Sequence, residues 1–210
     1  MSANSPSKFH VFLMVSLLLV LVWSGVAPKE RFTWFLEVVP AIFGLVLLVV
    51  TYKRFRFTNL LYFLMWVHAL ILLVGGHYTY AEVPLFDWIR DAFHQSRNNY
   101  DKVGHFAQGF IPAMIAREIL LRRGVVLRKR WLAFVVICIC LALSACYELF
   151  EWAVAAFTGA AADAFLGSQG DPWDTQKDMG FAFAGAVSAL LLLSKYHDQM
   201  LAKLTAEKGQ

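Results

Sequence analysis

Residues 131–153 read WLAFVVICICLALSACYELFEWA. From Trp131 to Tyr147 no side chain carries a full charge, and then two glutamates, Glu148 and Glu151, follow in quick succession. A helix rises about 1.5 Å per residue, so about 20 apolar residues cross the roughly 30 Å of bilayer hydrocarbon. This run is long enough to cross, and its acids gather at one end. Five other runs read the same way: 9–27, 33–51, 58–76, 103–122 and 176–195. Inside hydrocarbon the backbone amides find no water and must pair within their own segment, as they do in a helix. The alternating pattern of barrel strands is absent from the sequence. The expectation is an all-α, polytopic membrane bundle of six transmembrane helices, forming a single domain over 1–210.

Bulk composition agrees. Of 210 residues, 59% are hydrophobic and only 16% charged, and the mean hydropathy is +0.56. Soluble domains carry about a quarter charged residues. The net charge of +4 could suggest nucleic acid, but the basic residues flank the apolar runs. That placement assigns them to topology and lipid headgroups, with the lipid bilayer as partner and no nucleic acid. The first run ends in GVA before Pro28, like a signal-peptide cleavage site. Its length and its single basic flank, Lys8, instead predict an uncleaved span. Cys138, Cys140 and Cys146 share one run and are read as small buried hydrophobes. Walker, HExxH, GxSxG and CxxC patterns and a Gly-rich dinucleotide turn are all missing from the sequence. No half-repeat is visible, which argues against a standard secondary transporter.

Lysine and arginine orient the bundle. Twelve fall on the side of the N-terminal tail, the 53–56 and 122–130 turns and the C-terminal tail, against six on the other side. The positive-inside rule then predicts both termini in the cytoplasm, with the connections 77–102 and 154–175 facing outward. Within 77–102, Leu85, Phe86, Ile89 and Phe93 recur at helical spacing and predict a short interfacial helix.

On that topology polar residues from four stretches converge at the outer side: His77, then Asp101, Lys102 and His105, then Glu148 and Glu151, then Asp171, Asp174, Lys177 and Asp178. Asp101 and His105 are spaced i,i+4, as are Asp174 and Asp178, so each pair shares a helix face. Asp171 ahead of Pro172 reads as an N-cap. Six carboxylates face Lys102, Lys177 and Arg97, together with the imidazoles. Crowded carboxylates in a low dielectric call for a proton, a metal or a cationic ligand.

The stretches YDKVGHFAQGF, CYELFEW and GSQGDPWDTQKDMGFAFAG resemble the YjdF-type family of bacterial inner-membrane proteins along most of the chain. The resemblance implies a bacterial inner-membrane location and carries no activity with it. A more distant likeness is to VanZ-like membrane proteins, some of which are linked to glycopeptide antibiotic resistance. Their Asp-Lys-x-x-His span start matches Asp101, Lys102 and His105, and their Asp-x-x-Asp segment matches Asp171 and Asp174. Where that segment usually ends with Asn, this chain has Asp178.

Three functional readings follow. In the first, Asp101, Lys102, His105, Glu148, Glu151, Asp171, Asp174, Lys177 and Asp178 line an outward-facing acidic pocket that binds an envelope lipid, glycolipid or cation. In the second, a membrane-embedded enzyme acts on a lipid-linked substrate, with His105, Asp101 and Glu148 as catalytic candidates and His105, Asp174 and Asp178 as metal ligands. In the third, the same groups form an internal ion-pair network of an accessory membrane protein. Elsewhere, His68 reads as a packed histidine, Glu37 as interfacial, and Arg117 and Glu118 as snorkelling or paired. His10, His94 and His197 read as ordinary surface residues. Gly180, Ala184 and Ser188 read as a close-packing face.

Overall fold

The computed structural model describes residues 6–126, 128–159 and 163–208. Residues 160–162, within the expected outward connection, and the chain ends of the expected 1–210 domain lie outside the described residues. Every regular element among the described residues is a helix: α1 (Lys8–Gly25), α2 (Arg31–Thr51), α3 (Asn59–Tyr78), α4 (Pro84–Ala92), α5 (Tyr100–Arg122), α6 (Lys129–Thr158), α7 (Asp163–Leu166) and α8 (Asp174–Lys208). Five of them, α1, α2, α3, α6 and α8, are long and apolar enough to cross a membrane. The expected fourth span forms as α5 but is less apolar than these. Asp101, Lys102, His105, Gln108, Arg117 and Glu118 all fall on it.

The helix starts follow local chemistry. Ser7 caps α1, its hydroxyl accepting the His10 N–H at 3.3 Å. Glu30 caps α2 by accepting the Thr33 N–H at 2.6 Å. That hydrogen bond holds the Glu30 carboxyl below the usual carboxylate range, against a smaller opposing effect of burial. Pro84 opens α4, where its missing N–H has no intrahelical partner to lose. Asp171 does not cap α8 as expected. The helix starts at Asp174, and the Lys177 N–H reaches the Trp173 carbonyl.

Large apolar side chains cover the outside of the long helices, among them Phe12, Leu19, Val22, Phe43, Val50 and Leu191. An aqueous surface does not tolerate apolar patches of that extent, whereas a lipid-facing one requires them.

The chain divides into two compact units. The first comprises α1, α2, α3 from Met65, α4, the chain up to Gly104, and Glu151–Asp171. Its core packs Leu17, Val38, Ala69 and Leu73 together, with Trp34 and Trp66 against them. Polar groups in this unit are tied internally. Ser24 donates to the Leu73 carbonyl at 2.6 Å and accepts from the Trp34 indole at 2.9 Å. Gly76 lets α3 approach Glu37 and Val38 on α2. Glu37 is therefore buried and not interfacial. His10 is also buried, against expectation, and its ring shares a hydrogen bond with the Tyr52 hydroxyl at 2.7 Å. In α4, Phe86 packs with Tyr80, Val83 and Tyr100, while Leu85 and Trp88 stay exposed.

The second unit comprises Phe57–Leu64, α5 from His105, α6 to Phe150, and α8. Here α5 and α8 meet backbone to backbone. A Cβ on Gly109 would overlap the Ala182 carbonyl, and one on Gly185 would overlap the Phe106 carbonyl. The close-packing face of α8 is thus Ala182, Gly185, Ala186 and Ala189, all buried. The expected face fails, since Gly180 and Ala184 are exposed and nothing crowds Gly180. On α6 the buried stripe is Leu132, Val136, Cys140, Ser144 and Glu148 at four-residue steps. It grows more polar toward the C-terminal end. Cys140 alone of the three cysteines is buried, its thiol 3.6 Å from the Gly109 carbonyl; Cys138 and Cys146 are exposed.

Candidate functional site

The sequence-selected polar residues occur in both units. In the second unit, α5, α6 and α8 bring together His105, Glu148 and Asp178, all buried. His105 lies one turn into α5. Its Nδ1–H donates to Gln108 Oε1 at 3.0 Å, three residues further along the same helix. Nδ1 also lies 3.7 Å from Glu148 Oε1, and Nε2 lies 3.8 Å from Asp178 Oδ2. The Tyr147 ring stands edge-on to the imidazole at 6.4 Å between centroids. Asp174, one turn before Asp178 on α8, is buried as well, whereas Lys177 is exposed.

This arrangement has a clear electrostatic consequence. With Nδ1–H committed to Gln108, Nε2 is the nitrogen that faces the Asp178 carboxylate. A neutral imidazole would aim its lone pair at an anion. The contact becomes favourable when positive charge stands between them, as a proton on Nε2 or a cation shared by both. The separations of 3.7 and 3.8 Å both exceed hydrogen-bond length.

In the first unit, Arg97, Asp101, Lys102 and Asp171 form a network of a different kind. Arg97 Nη2 donates to the Gly167 carbonyl at 3.0 Å and to Asp101 Oδ2 at 3.4 Å. Its Nη1 donates to the Ser168 carbonyl at 3.2 Å and lies 3.6 Å from Asp171. Lys102 Nζ lies 3.3 Å from Asp101. The guanidinium anchors the chain at 167–168. Beside it, Gln169 exchanges two hydrogen bonds with the backbone of Asn98, at 2.9 and 3.0 Å. Glu151 is buried on the last turns of α6. His77 takes no part; it stacks on Trp23 and bonds to the Ser24 carbonyl.

Three participants escaped the sequence reading. Gln108 carried a usable signal, being i+3 from His105 on the same helix. The Asn98–Gln169 pair, 71 residues apart, carried none. His197 was taken for a surface residue and is fully buried. Its Nδ1 accepts from Arg117 at 2.7 Å and its Nε2–H donates to Glu118 at 2.9 Å. Glu118 accepts further from the Thr58 N–H and hydroxyl, and from Arg122 at 2.6 Å. Arg117 and Glu118 therefore pair and do not snorkel.

Comparison with known proteins agrees with this helical, apolar architecture. The family model described as "Predicted membrane protein (DUF2238)" matches residues 9–199. The chain is 46% identical over 187 residues to the protein named Inner membrane protein YjdF of Escherichia coli (strain K12), covering 89% of this chain and 90% of that one. No solved structure matches it. A match over this length, joined to helices that suit a bilayer, leaves one assignment: the chain belongs to the predicted membrane protein family DUF2238.

Proposed function

We propose that this is a multi-pass protein of the bacterial inner membrane that binds a cation, free or as the ammonium of an envelope lipid headgroup, at His105, Glu148 and Asp178. The observation that carries the reading is the imidazole of His105 set between two buried carboxylates, with Nε2 aimed at Asp178. Asp174 adds negative charge one turn away on α8. The Arg97–Asp101–Lys102–Asp171 network has a structural role, bracing the chain around residue 168. In this reading α5 is the sixth span, its polar residues buried by its neighbours, and the six spans form one domain. Both termini are cytoplasmic, the acidic site faces outward, and α4 lies in the outer interface with Leu85 and Trp88 toward lipid.

The binding test is native mass spectrometry and calorimetry of the purified protein with Mg²⁺, Zn²⁺ and phosphatidylethanolamine, wild type against His105→Gln and Asp178→Asn. At least one of these ligands should bind the wild type and lose tenfold or more in affinity in both variants. Equal binding by all three proteins would end the proposal. For topology, alkaline phosphatase fused after Phe93 should be active and after Arg128 inactive. The opposite pattern would invert the bundle.

A further inference from the structure

In the second unit a groove of about 310 Å³ opens between the C-terminal part of α5, the start of α6 and the later turns of α8. Its walls are apolar: Leu121 from α5, Leu132 and Ala133 from α6, Leu190 and Leu191 from α8. Polar lining comes from Arg117, Ser194 and Asp198. Leu190, Ser194 and Asp198 succeed one another at i,i+4, so along α8 the groove turns from apolar to polar over about 12 Å. Asp198 is already neutralised by Arg117 at 2.7 Å.

The end of the groove toward the α5–α6 turn is basic. Arg122 and Arg123 follow Leu121 directly, and Arg128 and Arg130 precede Leu132. Arg130 stands three residues before Ala133, on the same face of α6. Arg123, Arg128 and Arg130 are exposed. An apolar slot that meets a cluster of arginines at the level where spans end has the chemistry of one occupant: an acyl chain joined to a phosphate.

We infer that this groove is a binding site for an anionic phospholipid, with an acyl chain along Leu132, Ala133, Leu190 and Leu191 and the phosphate on the exposed Arg128 and Arg130. The site stands apart from the His105 cluster and does not depend on it. Charge complementarity selects the headgroup, and the slot selects a chain over a free phosphate.

The test uses the full-length protein in detergent, titrated with phosphatidylglycerol or phosphatidylethanolamine and read by native mass spectrometry. The wild type should retain phosphatidylglycerol preferentially. Arg128→Gln with Arg130→Gln, both exposed and harmless to packing, should cut that preference about fivefold per charge removed. Ala133→Phe, which fills the slot, should lose retained lipid altogether, with a thermal-unfolding scan to check its fold. Equal retention of the two lipids by the wild type would overturn the inference. So would undiminished phosphatidylglycerol preference in the double arginine variant, whatever becomes of Ala133→Phe. Inorganic phosphate that competes as well as the lipid would also refute it, since the slot would then contribute nothing.

Discussion

Two buried histidines of the second unit sit among carboxylates at opposite ends of α5, and they are held very differently. At the C-terminal end, His197 uses both ring nitrogens in short hydrogen bonds, 2.7 and 2.9 Å, and Glu118 gathers Thr58, Arg122 and His197 around itself. At the N-terminal end, His105 bonds to Gln108 at 3.0 Å and meets its carboxylates at 3.7 and 3.8 Å. The residue types are nearly the same. A closed set of short hydrogen bonds locks helices together, while longer approaches hold them less tightly. The first arrangement ties the fold together, and the second is the one at which we propose that a cation binds.

The sharpest way to break this contrast is to remove Glu118. Glu118→Ala leaves Arg122, His197 and Thr58 around an empty acceptor, and loss of one partner of a buried pair costs about 3–5 kcal/mol. Denaturant or thermal unfolding of the purified protein should show that loss; a change near zero would deny the lock. Next in size is Gly109→Ala, whose methyl group would push α5 from the Ala182 carbonyl. Overpacking of this kind costs about 1–3 kcal/mol. The same variant should weaken cation binding, because Gly109 lies one turn from His105, and calorimetry reads that effect separately.

A scale for ordinary local structure comes from Glu30, the cap of α2. Glu30→Ala should cost about 1 kcal/mol at neutral pH. The folded state lowers this pKa, so the carboxylate stabilises the fold above its ordinary value of 4.5 and loses that effect as pH falls through the lowered value. The gap between wild type and variant should therefore close under acid, and a gap constant down to pH 2 would contradict the cap. Smallest in stability is His105→Gln, expected to cost under about 1 kcal/mol because the glutamine amide can still hydrogen-bond in place of the ring. Its effect belongs in cation affinity, down tenfold or more. A large melting shift with unchanged affinity would move His105 into the same class as His197.

The helices were legible because a bilayer writes itself into sequence as uninterrupted hydropathy. The runs 9–27, 33–51, 58–76 and 131–153 fall within a few residues of α1, α2, α3 and α6 apart from the longer C-terminal end of α6, and the spacing of Leu85, Phe86 and Ile89 located α4. The pairing of His105 with Glu148 and Asp178 followed from placing polar residues at matching depths. Some of the errors share a cause. Hydropathy gives the depth of a residue but not its rotation about the helix axis. Gly180, Ala184 and Ser188 keep the right period but sit on the wrong side of the helix from Ala182 and Ala186. His197 looked like part of a polar tail because the apolar run ends near 195. In fact α8 continues to Lys208 and carries His197 on the face already buried by Ala186. A stripe of small residues followed three turns later by a histidine in register was the signal available.

The backbone contact of Gly109 with Ala182 lies one turn beyond His105 on one helix and one turn beyond Asp178 on the other. Two backbones in contact cannot draw nearer, and the reciprocal seat of Gly185 against Phe106 resists rolling. The gap between imidazole and carboxylate then behaves as a gauge with fixed jaws. On the proposed cation reading, such a gauge would favour small dehydrated cations over large ones of equal valence.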